Sequence, residues 1–375
     1  MSDDTVRAVA PDEDVVELTR DEWVATLQDL SKARGSFEML GTDHAAAFTD
    51  QDDTLFVTFE TIDSIMNAED DGLPMGFSMS DAHGWSQLTL LGLEDGWFRS
   101  PELYAYFDRL VDDGFFENYD RVVFYGAGDC AYAAAAYSVA APGATVLALQ
   151  PRATLDADIV PWDTRNMEAR RAFTSRRYAF APDMLDAADH AYVLYDPEQA
   201  MDAMHASLFT RPNVTRKKLR HLGGDIEREL QAMAMLDQMI EAAMDGALTP
   251  QLLHQLYRAR RGHLPLLRSY LNVLHTDGRS RALVLLSRHV LRKYNAPRFR
   301  RLGEQAVAEL AALGVTMDLD APKYQPKPKA APAPAKAAVA DAANAATAAD
   351  ADAAKPQASG APKAVRRPIA QAIAG

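Results

Sequence analysis

The sequence contains a single cysteine and no apolar run long enough to cross a lipid bilayer. One cysteine excludes a disulfide within the chain, and membrane insertion requires about 20 consecutive apolar residues. The first residues, Met1-Ser-Asp-Asp-Thr-Val-Arg7, also lack the basic and then apolar pattern of an export signal. These absences predict a cytoplasmic protein.

Sequence motifs for several cofactor classes are also missing. The chain has no His-Glu-x-x-His, no paired Cys-x-x-Cys, no phosphate loop of the Gly-Lys-Ser/Thr type and no Rossmann glycine triplet. The pair Gly126-x-Gly128 is too short to indicate a dinucleotide site. We therefore expect no cofactor and no metal ion.

The 39 basic residues are outnumbered by 53 acidic ones and are unevenly distributed. The net charge of -14 favours solubility and argues against indiscriminate nucleic-acid binding. Between residues 251 and 301, however, twelve lysines and arginines face one acid, Asp277. This segregation predicts a docking face for an anionic partner (a protein, a polysaccharide or a nucleic acid) at Arg258, Arg260 and Arg261. The alternative is that these arginines pair with the acidic leader or with the main domain.

Composition divides the chain into four segments. We predict a flexible acidic leader at 1–20, an α/β domain at 21–246, an Arg-rich helical extension at 247–320 and a disordered tail at 321–375. The tail consists largely of Ala, Pro and Lys, so it cannot bury enough apolar surface to offset its ordering entropy.

Strand and helix patterns alternate through the predicted domain, which is typical of a mostly parallel sheet covered on both faces. The predicted strands are His44–Phe48, Leu55–Phe59, Gln87–Leu91, Val122–Tyr125, Ala144–Leu149, Ala191–Tyr195 and Val214–Leu219. We expect the first two to form a hairpin-like edge. The predicted helices are Asp21–Ala33, Pro101–Phe116, one after Val122–Tyr125, a short one with Asp202 and His205, a long one from about Asp225, and several in Pro250–Leu313. Two segments show no such pattern: we predict a loop at Gly72–Gly84 and an irregular cover at Pro151–Met184.

The stretch Arg121-Val-Val-Phe-Tyr-Gly-Ala-Gly-Asp-Cys130 reads as a buried strand that turns through small residues into an Ala-rich helix. This is the pattern of a nucleophile elbow, in which a strained turn exposes a catalytic side chain above the sheet. Aligned on Gly-x-Ser-x-Gly, the first small residue is Gly126 and the apex is Gly128. The position of the nucleophile therefore carries no side chain.

With its elbow and element order, the segment from about Thr54 to Leu230 resembles the α/β-hydrolase fold superfamily, as a divergent bacterial member with a degenerate elbow. The resemblance implies that Gly128 occupies the nucleophile position and Asp196 the acid position. The base is implied after the last strand, where this chain has Gly223-Gly224 and the nearest histidine is His221. A glycine cannot attack a carbonyl, so the usual acyl-enzyme route is excluded.

Two neighbours of the apex offer an alternative catalytic reading. Asp129 would act as the nucleophile if the turn slipped by one residue, and Cys130 if it slipped by two, with His221 or His205 as base and Asp196 as orienting acid. Each residue also has a structural explanation. Asp129 would cap a helix, Cys130 would pack against the sheet, and Asp196 would end a strand in a turn. His205 would be a partly buried helix residue, and His221 would be solvated. Both readings remain open.

Similar bacterial chains are sometimes labelled phosphoadenosine phosphosulfate reductases. That activity requires a Ser-Gly-Gly-Lys-Asp-Ser type loop and a reactive cysteine in a mobile tail, and the sequence has neither. We therefore expect an α/β-hydrolase-like protein that lacks serine-hydrolase activity and binds a ligand or partner. If it is an enzyme, we expect a hydrolase.

Overall fold

A computed structural model describes residues 19–66, 72–94 and 96–319. The predicted tail and the predicted leader before Thr19 lie outside these residues. The chain divides into two compact units, one up to Leu266 and one from Leu267. Within the described ranges, every helix is too short or too polar to cross a membrane.

The first unit contains one sheet of eight strands. The strands are β1 (Ser36–Leu40), β2 (His44–Thr49), β3 (Thr54–Thr61), β4 (Ser86–Gly92), β5 (Arg121–Ala127), β6 (Thr145–Leu149), β7 (His190–Tyr195) and β8 (Val214–Lys218). Their spatial order is β1-β2-β4-β3-β5-β6-β7-β8. The pairs β1/β2 and β2/β4 are antiparallel and all others are parallel. This sheet confirms the expected mostly parallel, α/β-hydrolase-like fold.

The helices follow the strands in alternation and then continue alone. They are α1 (Arg20–Arg34), α2 (Ile62–Met66), α3 (Met75–His83), α4 (Pro101–Asp112), α5 (Asp129–Tyr137), α6 (Ala181–Met184), α7 (Ala200–Leu208), α8 (Ile226–Ala232), α9 (Leu236–Met244), α10 (Pro250–Leu256), α11 (Leu264–Thr276), α12 (Ser280–Leu291) and α13 (Pro297–Ala312). In the second unit, α12 packs against α13.

Side chains of alternate strand residues build a core on each face of the sheet. On one face, Val57 and Phe59 of β3 pack in a cluster with Phe107 of α4 and Tyr137 of α5. On the other, Ala45 of β2 belongs to a cluster with residues of α1 and α3. Because successive strand residues point to opposite faces, an apolar strand such as β3 requires helices on both sides.

The expected hairpin between the first two predicted strands is wrong. β2 pairs with β1 and β4, and β4 lies between β2 and β3. The hairpin partner of β2 is β1, which the sequence analysis did not identify, and Gly41 turns between them with a φ of +70°. β3 is buried on both faces, which suits a central strand.

The expectation of a loop at Gly72–Gly84 is also wrong, because α3 occupies most of this segment. Pro74 precedes the helix and Gly84 ends it in a left-handed conformation. Gly76 lets the helix approach the sheet, since a Cβ atom there would lie 2.2 Å from Oγ1 of Thr89. The glycine and serine content that indicates a loop here serves close packing of a helix instead.

Two helix predictions differ from the structure at their ends. The helix predicted to reach Phe116 stops at Asp112, because Gly114 turns with a φ of +64° before a short 3₁₀ turn. The long helix predicted from about Asp225 is two helices, α8 and α9, separated at Ala234 by a φ of +51°. The segment Pro151–Met184 is largely irregular, as predicted.

Candidate functional site

The backbone between β5 and α5 makes a sharp turn at Gly128, called here the Gly128 turn. Gly128 has a φ of 58° and a ψ of −119°, and its N–H donates to the carbonyl of Leu149 at 2.8 Å. A Cβ atom on Gly126 would lie 2.4 Å from the carbonyl oxygen of Cys130, so the strand and helix approach too closely for any side chain. A Cβ atom on Gly128 would meet nothing within 4 Å. The space above the turn is therefore open.

Asp129 begins α5, where its carboxylate interacts favourably with the helix dipole. Its Oδ1 accepts a hydrogen bond from Arg152 at 2.8 Å, and Arg152 also donates to Asn166. The guanidinium of Arg152 lies 5.0 Å from the ring centre of Trp97. Asp129 is therefore held in an ion pair beside the Gly128 turn, by an arginine that the sequence analysis did not single out.

Cys130 lies in the first turn of α5 and is buried. Burial, followed by the negative charges of Asp129, Glu227 and Glu60, raises the pKa of its thiol well above the ordinary value. Since the thiolate is the reactive form, this environment suppresses nucleophilic chemistry at Cys130.

Glu60 is a buried carboxyl near the end of β3. It accepts backbone hydrogen bonds from Met75 at 2.7 Å and from Gly76 at 3.1 Å, which anchors the start of α3. Burial outweighs these hydrogen bonds and raises the pKa of Glu60 from 4.5 to about 7.

We predict that Glu60→Gln changes how stability depends on pH. Between about pH 4.5 and 7, the folded state keeps the proton of Glu60 while the unfolded state has lost it. The free energy of unfolding therefore falls as the pH rises, by at most about 1.4 kcal/mol per pH unit. Urea titrations at pH 5, 6 and 7 should show this slope reduced in Glu60→Gln. The exposed control Glu117→Gln should keep the wild-type slope, and an unchanged slope in Glu60→Gln contradicts the prediction.

Asp196 is fully buried after β7. Its Oδ1 accepts the backbone N–H of Glu198 and its Oδ2 accepts that of Gly223, both at 2.9 Å. The carboxylate thus ties the connection after β7 to the connection after β8. In the latter, His221 has a φ of +66°, and its Nδ1 lies 2.6 Å from Oε2 of Glu198.

His205 is fully buried on α7. Its Nε2 lies 2.8 Å from Oδ2 of Asp163, and the backbone N–H of Ala153 donates to its Nδ1 at 3.2 Å. The ring of Trp162 lies 4.7 Å from the imidazole. Burial lowers the pKa of His205 despite the neighbouring carboxylate. A neutral ring with the proton on Nε2 satisfies both contacts, so both nitrogens are engaged.

The partner of His205 belongs to a network that the sequence analysis missed. Arg165 pairs with Asp163 at 2.9 Å and with Asp202 at 2.6 Å, and Gln150 donates to Asp202 at 3.1 Å. Burial opposes ionisation of Asp163, but hydrogen bonds from Arg165 and His205 outweigh it and lower its pKa. The spacing of Asp202 and His205, three residues apart on one helix face, was the available signal for a shared environment.

Unusual backbone conformations concentrate at the carboxyl edge of the sheet. Six residues other than glycine have a positive φ in the connections that follow β4, β6 and β8: Trp97, Phe98, Gln150, Asn166, Tyr178 and His221. Such conformations cost about 1–3 kcal/mol each and cluster at functional sites. The Gly128 turn and Asp196 lie at this same edge, which makes it the candidate site.

A cavity of about 850 Å³ lies at the opposite edge of the sheet. Its walls include the first residues of β5, β6 and β7, namely Arg121, Thr145 and His190. Ligands of open α/β sheets bind beyond the carboxyl ends of the strands. For this reason we place the candidate site at the edge that carries the Gly128 turn and not at this cavity. Among the described residues, no group of three or more His, Cys, Asp or Glu is arranged to hold a metal ion.

The predicted anion-docking arginines lie in a 3₁₀ turn, Tyr257–Arg261, that follows α10. Arg260 stacks on Tyr257, with its guanidinium 4.1 Å from the ring centre. Nearby, Nζ of Lys217 on β8 lies 3.0 Å from Nδ1 of His254 on α10. Lys217 is the main cause that lowers the pKa of the exposed His254, and Arg258, Arg260 and Arg261 lower it further. The cations of β8 and of the 3₁₀ turn therefore create a positive potential here.

No family model and no curated protein matches the chain. Solved structures resemble it at low sequence identity. The capsule O-acetyltransferase of Neisseria meningitidis serogroup A is 13% identical, with 56% of this chain and 93% of that chain covered and a TM-score of 0.36. An esterase of Pyrobaculum calidifontis is 12% identical, with 61% and 92% covered and a TM-score of 0.35. A carboxylesterase-like protein of Lactobacillus plantarum is 17% identical, with 55% and 93% covered and a TM-score of 0.35.

Proposed function

We propose that this α/β-hydrolase-like protein binds a ligand or a partner protein at the carboxyl edge of its sheet and does not act as a serine hydrolase. The observation that carries the proposal is the Gly128 turn, which is placed like a nucleophile elbow but has no side chain at its apex. Its open space and the adjacent Arg152 side chain, stacked on Trp97, remain suited to binding.

The environment of His205 supports the same interpretation. Nucleophilic catalysis requires a base within hydrogen-bond reach of the nucleophile. Both ring nitrogens of His205 are engaged, by Asp163 and by Ala153, so neither is available to accept a proton. Both oxygens of Asp196 accept backbone hydrogen bonds, so this carboxylate fixes two loops.

The alternative is a hydrolase that uses Asp129 or Cys130. The position of Asp129 favours this alternative, because its side chain is 41% exposed beside the Gly128 turn. Its ion pair with Arg152 reduces its availability, and the raised pKa of Cys130 disfavours the thiol. A reductase role of the phosphoadenosine phosphosulfate type gains no support, because the sole cysteine is buried.

We predict that a fluorophosphonate probe does not label the wild-type protein, because no activated serine stands at the apex. Gly128→Ser should fold and, without a free base, should also remain unlabelled. Mass spectrometry after probe treatment measures both results, with an active serine esterase as the positive control. Two results would favour the alternative: modification of Cys130 by iodoacetamide in the folded protein, or ester or halide release that Asp129→Asn abolishes.

We also propose that Arg258, Arg260 and Arg261 dock an anionic partner. The lowered pKa of the neighbouring exposed His254 supports this proposal, because nearby positive charge is its main cause. Such a field is screened within about 8 Å at physiological salt.

We predict that a heparin column retains the protein at low salt and releases it as the salt concentration rises. Reversing Arg258, Arg260 and Arg261 to glutamate should shift elution to lower salt. Arg171→Glu, an exposed arginine outside this stretch, is the matched control. Equal elution of the triple variant and the wild type would contradict the docking proposal.

A further inference from the structure

Among the residues that the structure describes, β8 is the last strand in the sheet order and pairs only with β7. The outer edge of such a strand presents backbone N–H and C=O groups to any chain that can pair with it. Three consecutive residues of β8 are basic: Arg216 and Lys218 are exposed, and Lys217 is half-buried. This edge therefore combines hydrogen-bonding groups with positive charge.

The cations of the 3₁₀ turn that follows α10 adjoin this edge. Lys217 of β8 contacts His254 of α10. The pKa of Lys217 is lowered, first by burial and then by the positive charge of Arg260 in the 3₁₀ turn. All of these residues belong to the first unit. We call this surface the basic edge and define it as β8 with Lys217, His254, Arg258, Arg260 and Arg261. Because successive strand residues point to opposite faces, Arg216 and Lys218 add their charge from the other face of the strand.

We propose that the basic edge binds an extended acidic segment of a partner protein, which adds to the sheet as a strand beside β8. This inference rests on the proposed anion docking and names its partner. Backbone hydrogen bonds to β8 would supply affinity, and acidic side chains would pair with the surrounding cations. Lysines on an edge strand deter pairing with a second copy of the same chain, because the like charges repel. The same lysines attract a strand that carries acidic side chains.

The size of the basic edge favours a short peptide over a long polyanion. Five residues of β8 span about 17 Å. A long polysaccharide or nucleic acid would extend far beyond this strand, whereas a short acidic segment matches its length. Tyr257, the aromatic residue beside these arginines, is buried beneath Arg260 and presents no free face for stacking nucleobases.

The test uses the full chain and four probes, all compared at the same low and the same raised salt concentration. The first is a fluorescent peptide of about eight alternating glutamates and valines. The second is the same peptide with alternate backbone nitrogens methylated, which keeps its charge and removes donors for strand pairing. The third is heparin, and the fourth is a single-stranded oligonucleotide. Binding is measured by anisotropy for the wild type, Lys217→Glu, Arg258→Glu and the control Arg171→Glu, after thermal melts establish that each variant is folded.

We expect the unmethylated peptide to bind best and the control variant to bind like the wild type. Methylation or Arg258→Glu should each weaken binding about tenfold. Since Arg258 is exposed, this variant keeps the test valid even if Lys217→Glu unfolds. If heparin binds in a salt-dependent way and the peptide does not, the docking proposal stands and the acidic-strand inference is overturned. Equal binding of the two peptides, or tighter binding of the oligonucleotide, also overturns the inference. If no probe binds, both proposals are wrong.

Discussion

Replacing Gly126 with alanine should prevent the protein from folding, whereas replacing Gly128 with alanine should leave it folded. At Gly126 the new Cβ would lie 2.4 Å from the carbonyl oxygen of Cys130, a backbone atom in the first turn of α5. Relieving this overlap requires a shift of α5 away from β5, and seven of the eight residues from Cys130 to Tyr137 are fully shielded from solvent. Close-packed interiors do not absorb such displacements.

Gly128 is a matched control in the same turn. A Cβ there meets nothing within 4 Å, so the cost comes only from its φ of +58°, about 1–3 kcal/mol. Soluble yield, circular dichroism and urea unfolding of Gly126→Ala and Gly128→Ala measure the difference. A well-folded Gly126→Ala protein would show that β5 and α5 are less tightly joined than the structure indicates. Loss of folding in Gly128→Ala alone would contradict the open space above the turn.

The contrast between these glycines shows how far the sequence determines the site. The pattern of an apolar strand, small residues and an Ala-rich helix predicts the turn from local properties alone, and β5 and α5 lie where it places them. Strands β6, β7 and β8 are predicted for the same reason, because short apolar or β-branched runs end at turn residues.

The order of neighbouring strands in the sheet depends on contacts between residues that are far apart in the sequence. The predicted hairpin failed because β4, distant in sequence, lies between β2 and β3. The helix α3 was missed because its start depends on the carboxylate of Glu60, about fifteen residues earlier in the chain. Composition alone therefore indicated a loop where a tertiary contact stabilises a helix.

The same limit applies to the candidate histidines. From the sequence, His205 is equally a base or a packed residue, since its partner Asp163 is 42 residues away. That partner lies in the irregular segment that covers the sheet, where no periodicity indicates which side chains point inward. Only the folded chain shows that both nitrogens of His205 are occupied and that Arg165 and Asp202 complete the network.

Asp163→Asn should lower the free energy of unfolding by about 3 kcal/mol. Asp163 has no solvent exposure and accepts hydrogen bonds from His205 and Arg165. Breaking a buried pair costs about 3–5 kcal/mol when the remaining charge is left uncompensated. Arg165 is partly exposed and keeps its ion pair with Asp202, which favours the lower end. Because the pKa of Asp163 is lowered in the folded state, its contribution is present above its ordinary pKa of 3.8. The contribution disappears as the pH falls below that value.

Urea unfolding at pH 7 measures this loss, with the exposed aspartate variant Asp158→Asn of the same segment as control. The difference in the free energy of unfolding between wild type and Asp163→Asn should persist down to about pH 4 and narrow only below the ordinary pKa of 3.8. His205→Gln distinguishes a structural role of His205 from a catalytic one. If the role is structural, the losses of unfolding free energy in His205→Gln and Asp163→Asn should not add up in the double variant. Additive losses, or an unchanged unfolding midpoint in Asp163→Asn, would show that the network does not stabilise the covering segment. His205 would then again be a candidate base for the alternative hydrolase.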